Sequence, residues 1–342
     1  MKLLLYTDTH WSETSSIVRG CGEKYSTRLE NLIESINWAE AVGGKYDCDA
    51  IVCLGDFFDK PNLTAQEITA LKEVEWLDIP HYFLVGNHDA NINDLSYAST
   101  FIFNQFNVIS EPTSLIIGNA EILLLPYIVN DNRHSLHTYF SGDKQKRIIL
   151  SHNDIAGVNY GGFISTNGFK VDEILKECDL FINGHLHNSG FVDSTEKILN
   201  LGNLTGQNFT EDATKYDHYC AILDTDTLEI IFFINPYAFN FYKLSILTDI
   251  DLQKFDNLKD NAVLSISCSS NLVTKIREIL TNCSNVVTYR LQTIVDKDVE
   301  QVDISSLVQT DHLKQFSDYI LSHMNNTSIL NEELTNIMLG EQ

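Results

Sequence analysis

Five short segments of this chain place acids, imidazoles and an amide directly after runs of apolar residues. They are Asp8-Thr9-His10, Gly55-Asp56-Phe57-Phe58-Asp59, Gly86-Asn87-His88-Asp89, Ser151-His152-Asn153-Asp154 and Gly184-His185-Leu186-His187. In the D-x-H and H-x-H patterns, residues i and i+2 lie on one side of an extended backbone and can grip ions together. Asp56 carries two carboxylate oxygens and can bridge two ions, while Asn87 offers a neutral carbonyl oxygen. Gly55 and Gly86 let the backbone turn tightly beside them. Asp8, His10, Asp56, Asn87, His152, His185 and His187 make a ligand set of carboxylates, imidazoles and one amide, with no thiolate. That set suits Mn, Fe, Zn or another borderline to hard divalent ion, rather than a structural zinc. A lone H-x-H or D-x-H arises often by chance, and a lone histidine after a strand is more often a packed core residue. Five such segments, holding five of the chain's eleven histidines, are hard to produce by packing needs alone.

The elements that must position these residues follow from hydrophobic periodicity. Leu3–Tyr6 reads as a buried strand, and Leu29, Leu32, Ile33 and Ile36 recur at helical spacing, so a helix is predicted from Ser26 to Val42. Ala50–Leu54 is the next strand, Thr64–Trp76 the next helix and Tyr82–Val85 the next strand. This βαβαβ rhythm predicts a parallel sheet with helices on its faces. A hairpin comes next over Leu115–Leu125, with Gly118-Asn119 at its turn. Ile148–Leu150 and Leu180–Ile182 are further short strands, and hairpins near Phe191–Leu201 and Tyr219–Ile234 close the region at about Asn240. The fold class is α/β with two sheets. Ligands of open α/β sheets bind beyond the carboxyl ends of the strands, so all five segments are expected to converge on one face.

Beyond this first domain (1–240) the texture changes. Tyr242–Leu247, Val263–Cys268, a helix near Asn271–Leu280 and Val286–Leu291 predict a small β-β-α-β unit (241–298). A polar stretch, Asp296-Lys297-Asp298-Val299-Glu300, leads to a tail (299–342) with two short helices, His312–Met324 and Ile329–Leu339. Such a tail cannot form a core alone and is expected to pack on a partner.

Bulk composition limits the function classes. At 342 residues, 44% hydrophobic and 20% charged, the chain is an ordinary soluble globular protein. Its net charge of -24 is not ordinary. A chain this acidic repels nucleic acid unless something local reverses the field, which excludes a simple DNA-coating protein and leaves room for an enzyme that meets phosphate through bound metals. The seven cysteines include no CxxC pair and read as reduced, mostly buried thiols. The apolar opening Met1–Tyr6 is too short for a signal peptide and no stretch reaches membrane-span length, so a cytoplasmic protein without membrane contact is expected.

The ordered set D-x-H, G-D-x-x-D, G-N-H-D, a separate His and G-H-x-H resembles the calcineurin-like metallophosphoesterase family. The resemblance implies an α/β/β/α sandwich core with a small α+β capping domain and a helical C-terminal tail. It assigns Asp8, His10, Asp56 and His187 to one metal, and Asp56, Asn87, His152 and His185 to the other. By the same resemblance His88 reaches the scissile phosphate as a catalytic residue, and Asp89 orients it. Protein phosphatases of this family carry Gly after the first D-x-H, Arg-Gly after the G-D-x-x-D and Glu at the place of Asp89. Here those places hold Trp11, Lys60-Pro61 and Asp89.

The chain looks more like the SbcD-type (meiotic-recombination type) DNA repair nuclease subunit and its phage recombination endonuclease relatives. Gly55-Asp56-Phe57-Phe58-Asp59 has their G-D-x-F-D form, preceded by the helix that Tyr25-Ser26-Thr27-Arg28-Leu29 opens. Asn200-Leu201-Gly202-Asn203-Leu204-Thr205, ahead of Phe209-Thr210-Glu211-Asp212, resembles their strand and DNA-facing loop. Some relatives carry His where Asp59 stands. The resemblance implies a Mn(2+)-dependent exonuclease or endonuclease acting on DNA, an SbcC-like coiled-coil ATPase subunit as partner, a homodimer, and a place in the host cytoplasm if the chain is phage-encoded. The sequence has no G-x-x-x-x-G-K-[ST] loop, so ATP dependence would come from that partner. A stand-alone nucleotide or small-molecule phosphodiesterase is the alternative. His134, His137, His218, Tyr127, Tyr160 and Phe163 are further candidate contacts, each better explained as an ordinary strand, loop or core position.

Overall fold

The computed structural model describes residues 1–91, 94–129, 132–141, 146–158 and 164–294. Contacts divide the chain into two compact units, Met1–Thr293 and Ile294–Gln342. The helices expected over His312–Met324 and Ile329–Leu339 lie outside the described residues.

Two six-stranded sheets make the core. The first contains β1 (Lys2–Tyr6), β2 (Ala50–Cys53), β3 (His81–Leu84) and β4 (Asn107–Ile109), all parallel. The second is built on β5 (Thr113–Ile117), β6 (Ala120–Leu125), β7 (Lys146–Ser151), β8 (Leu180–Asn183), β9 (Gly190–Phe191) and β10 (Ile198–Asn200). Its order is β9-β10-β8-β7-β6-β5. In it β6, β7, β8 and β10 run parallel, while β5 and β9 are antiparallel edges. The hairpin of β11 (Tyr219–Asp224) and β12 (Ile230–Ile234) returns to the first sheet, beside β1.

Strand periodicity explains the layering. Leu3, Leu5, Ala50, Val52 and Leu84 point to one side and meet Ile122, Leu124, Ile148, Leu150, Leu180 and Ile182 between the sheets. Their alternates Leu4, Tyr6, Ile51, Cys53 and Phe83 point the other way, under helix α1 (Thr27–Lys45) and the short helix α2 (Ala65–Ala70). Leu123, Leu125, Ile149 and Phe181 likewise face Ile174 of α3 (Val171–Glu177). Both faces of each central strand are therefore covered, which is why these strands read as apolar runs rather than as alternation. The result is the α/β/β/α sandwich, and burying each Leu or Ile in it is worth about 1.5–3 kcal/mol.

Local chemistry fixes the helix ends. Ser26 caps α1 by accepting from the Leu29 N–H at 3.2 Å. Thr64 and Glu67 form a capping box on α2. That helix stops at Ala70, short of the predicted end at Trp76. The side chain of Asn37 accepts from Glu75 N–H at 2.8 Å and donates to the Glu73 carbonyl, taking the groups the next turn would use. Trp76 then turns into a cluster with Phe57, Phe83, Phe103 and Phe106.

After the sandwich come β13 (Asn240–Ile246), β14 (Ala262–Ser269), α4 (Val273–Asn282) and β15 (Val286–Ile294), a three-stranded sheet in the order β13-β14-β15. Its core includes Tyr242, Leu264, Ile266, Leu272 and Ile276. Asn240 is no break in the packing: Val18 of the sandwich shares a buried cluster with Phe239, Phe241 and Val263. All seven cysteines are free and five are buried. No helix among the described residues is long and apolar enough to cross a membrane.

Candidate metal centre

The loops that follow β1, β2, β3, β7 and β8 leave the carboxyl ends of parallel strands and meet on one edge of the sandwich. They are stitched by backbone hydrogen bonds: Asp8 N–H to Gly55 carbonyl (3.0 Å), His10 to Asp56 (3.1 Å), Gly184 to Ser151 (2.8 Å) and Leu204 to Thr7 (3.0 Å). The packing leaves no room for a side chain at Gly86, where a Cβ would collide with the Asp56 carboxylate. Gly55 adds a φ of +113°, which glycine alone adopts without strain. Non-glycine residues are also forced into left-handed backbone here: φ is +50° at Asp8, +45° at His10, +47° at Asp56 and +72° at His185. Such conformations cost about 1–3 kcal/mol each and gather where a site needs them.

Three groups of ligand atoms cluster: Asp8, His10 and His187; Asp56, His152 and His185; and His10, Asp56 and His88. Within each group the atoms lie within 4.8 Å of one another, and Asp56 belongs to two of the groups. The His10 and His187 Nε2 atoms are 3.2 Å apart, with Asp8 Oδ1 at 3.8 and 4.0 Å from them. His152 Nε2 lies 3.1 Å from Asp56 Oδ2.

The imidazoles are held from behind. His187 Nδ1 donates to Glu211 Oε1 at 2.9 Å. His10 Nδ1 faces Asp59 Oδ1 at 3.2 Å, close but off the axis of a hydrogen bond. His152 Nδ1 donates to the Leu54 carbonyl at 2.8 Å, and His185 Nε2 meets Asp154 Oδ1 at 3.3 Å. In neutral rings with Nδ1 carrying the proton, His10 and His187 aim two Nε2 lone pairs at each other and at a carboxylate oxygen, an arrangement that repels itself unless a proton or a metal cation sits among them.

Unpartnered atoms make the same demand. Asp8 Oδ1, Asn87 Oδ1 and His152 Nε2 are buried and accept or donate no hydrogen bond. Leaving a buried polar atom unsatisfied costs about 1–3 kcal/mol. Burial alone would raise the Asp8 pKa, yet His152, His10 and His187 pull it down to about 2. Asp56 is also held low, by His152, His10 and His88, against its own burial. Burial opposes charge on His10 and His152, but the neighbouring carboxylates carry them up to about 10 and about 9. The donor set and its orphaned atoms fit divalent cations.

Six of the seven expected ligand residues, all but Asn87, thus come together in these groups, and His88 stands beside them, exposed, its ring centroid 4.7 Å from that of His10. Asp89 requires a correction. Its carboxylate does not turn to His88: one oxygen accepts from Phe58 N–H and the other from Gly86 N–H, each at 2.8 Å. It clamps the second and third ligand loops, and burial with Asp56 nearby raises its pKa to about 7. The Nδ1 of His88 is instead 3.2 Å from the Asp59 carbonyl. Asp154 and Glu211 were missed as holders of these imidazoles. Asp154 had a signal, since it stands two residues after His152. Glu211 had none, because 24 residues separate it from His187. Among the further candidates, Tyr127 lies beside His185 with ring centroids 5.8 Å apart, and His218 is buried against the Asn203 carbonyl. His134 packs by Tyr139 in a pocket that Tyr127 also lines, while Tyr160 and Phe163 lie outside the described residues.

Residues 1–229 match the family described as calcineurin-like phosphoesterase. The chain belongs to that family. As a calcineurin-like phosphoesterase it is a metal-dependent hydrolase of phosphoesters, on a fold that works with divalent metals. No curated protein sequence matches it. Among solved structures it is similar to a dimetal phosphatase from Danio rerio, at 11% identity and a TM-score of 0.38, covering 69% of this chain and 99% of that one. It is also similar to the purple acid phosphatase PPD1 from yellow lupin (Lupinus luteus) seeds, at 13% identity and a TM-score of 0.39, over 57% of this chain and 39% of that one. A metallophosphoesterase from Sphaerobacter thermophilus is similar at 16% identity and a TM-score of 0.29, over 68% and 88%.

Proposed function

We propose that this calcineurin-like phosphoesterase is a DNA nuclease, the phosphodiester-cleaving subunit of a double-strand-break repair or recombination complex. The observation that carries the hydrolytic part is Asp56, shared between two groups of ligand atoms, with His10 and His88 in one and His152 and His185 in the other. Asp8, His10, Asp56 and His187 would hold one ion, and Asp56, Asn87, His152 and His185 the other. Mn(2+) is the ion we expect for this mix of carboxylate, imidazole and amide donors. Two such ions supply Lewis-acid charge to phosphate oxygens and acidify water.

The chain's own groups do the rest. His88 is exposed beside the ligand groups, its amide anchored to Asp56 Oδ1 at 2.8 Å. With Nδ1 facing Asp59, Nε2 is the nitrogen to meet a phosphoester oxygen, stabilising developing charge or passing a proton to the leaving group. Asp89 keeps that loop in place by its clamp on Gly86 and Phe58. The nuclease part rests on the G-D-x-F-D form of the second motif and on the unit of β13, β14, α4 and β15 that comes after the core. With a net charge of -24 and no nucleotide-binding loop of its own, the chain would depend on an SbcC-like coiled-coil ATPase for ATP and for a basic DNA channel. A homodimer of the catalytic subunit fits the same assembly.

Purified protein with Mn(2+) and short duplex or single-stranded DNA is expected to release cleavage products. His88→Ala is expected to abolish cleavage while metal content, read by mass spectrometry, stays near wild type. Absence of cleavage with and without the ATPase sinks the nuclease reading. The acidity of the chain favours a second reading, a phosphodiesterase of small nucleotides, and turnover of a cyclic nucleotide without DNA cleavage would select it.

A further inference from the structure

A small pocket opens beside the ligand groups on the His10 side. It holds about 160 Å³, room for about five waters or one phosphate group. Ser12, Thr14, Ser15, Ser16 and Gln207 line it, together with Arg28, His10 and the acid Asp59, whose carboxylate lies 3.2 Å from His10 Nδ1.

Arg28 is the unusual member. Among the described residues it is the one lysine or arginine that is buried, at 5% exposure. A buried cation is costly unless it is paired, yet no carboxylate among the described residues comes within 4.0 Å of this one. The acids whose charge it feels, Glu211 and Asp59, are engaged with His187 and His10. Arg28 donates to the Thr9 carbonyl at 3.1 Å and the Gly206 carbonyl at 3.0 Å, two bonds from a group with five N–H donors. Burial lowers its pKa only to about 10, so it stays cationic at neutral pH.

The other flank of the centre differs. There a groove of about 810 Å³ runs from His185 and His187 past Asn188, Ser189, Phe191 and Tyr216, with no lysine, arginine or carboxylate among the described residues of its lining. A phosphate chain passing the centre would find an arginine on the His10 flank, where the one lining carboxylate, Asp59, is turned to His10, and neither lysine nor arginine on the His185 flank. Resting on the nuclease reading above, we propose that the Arg28 pocket receives the phosphate adjacent to the scissile one, so that the enzyme recognises a strand of linked nucleotides and not a single phosphodiester. The planar fork of a guanidinium suits two phosphate oxygens, and the hydroxyls supply the remaining donors.

The test separates this site from the nuclease reading. In the His88→Ala protein loaded with Mn(2+), binding of a fluorescent single-stranded hexanucleotide is measured by anisotropy. Arg28→Lys keeps the charge and loses the fork. Because Arg28 also ties two loops, Ser16→Asp provides a second variant at an exposed position, placing a negative charge at the pocket mouth. Each is expected to weaken hexanucleotide binding about tenfold, the loss of roughly one charged hydrogen bond. In the otherwise wild-type protein, the loss on hexanucleotide cleavage should exceed the loss on bis(p-nitrophenyl) phosphate, which has no second phosphate, by a similar factor. Unchanged binding in both variants, equal losses on both substrates, or no binding by the parent protein overturns the pocket assignment. Hexanucleotide binding that is lost in both variants, with an otherwise wild-type protein that never cuts DNA with or without the ATPase, supports the pocket and overturns the nuclease reading.

Discussion

The group of Asp8, His10 and His187 and the group of Asp56, His152 and His185 are held by different means. In one, carboxylates stand behind the imidazoles: Glu211 behind His187 and Asp59 behind His10. In the other, His152 is held by a backbone carbonyl, and His185 by Asp154, whose side chain is 18% exposed, an exposure between those of the buried Glu211 and of Asp59 at 43%. Carboxylate backing fixes the ring tautomer and makes the ligand nitrogen more basic, while a carbonyl fixes the tautomer alone. The first group also contains the fully buried Asp8, whereas the ligand set proposed for the second adds the neutral amide of Asn87. On that proposal the ion of the Asp8 group is expected to be the more tightly held and the ion of the His152 group the more readily exchanged.

The most severe way to break this difference is to remove the shared residue. Asp56→Asn is expected to abolish stoichiometric Mn(2+) in the purified protein and to lower phosphodiesterase activity by more than about a hundredfold, beyond the 10–100-fold range typical of outer partners. Metal analysis beside a bis(p-nitrophenyl) phosphate assay checks it. If one ion per chain is retained at wild-type affinity, the two groups do not share Asp56. A smaller change should touch one group only. Glu211 is buried, and its oxygens accept from His187, Asn208, Asn203 and the Gln207 amide at 2.8–3.1 Å. Glu211→Gln is expected to weaken the tighter of two Mn(2+) binding steps by about 10–100-fold in calorimetry, with the weaker step unmoved. The mildest change is Asp154→Asn. Water already competes for this carboxylate, so the weaker step alone should lose about two- to fivefold, below the range for buried partners. A larger effect for Asp154→Asn than for Glu211→Gln would invert the ranking of the two groups.

Legibility in the sequence was set by what each feature depends on. The strands were readable because β1, β2, β6, β7 and β8 are covered on both faces and so appear as unbroken apolar runs. The convergence of the five segments came from their shared position at strand ends. The end of α2 was not readable, because Asn37 stops it from a different helix. Nor was α3, which is seven residues long with a single buried position, Ile174, too little to set a period. Within the site, residues close in sequence were legible and long-range partners were not. Glu211 and Arg28 act through contacts that no local spacing encodes. Asp89 was misread because its neighbour in sequence is His88, while its partners in space are the amides of Phe58 and Gly86.

The left-handed backbone at Asp8, His10, Asp56 and His185 bears on how such a chain ages under mutation. Glycine occupies that region freely, and a single base change converts an aspartate codon into a glycine codon. A lineage that no longer needed its ions would therefore gain stability by the most accessible substitutions at positions 8 and 56. The same mutation that relaxes the fold erases the ligand, so selection for stability alone runs downhill toward an empty scaffold. This chain keeps an acid at both places and carries the conformational cost there.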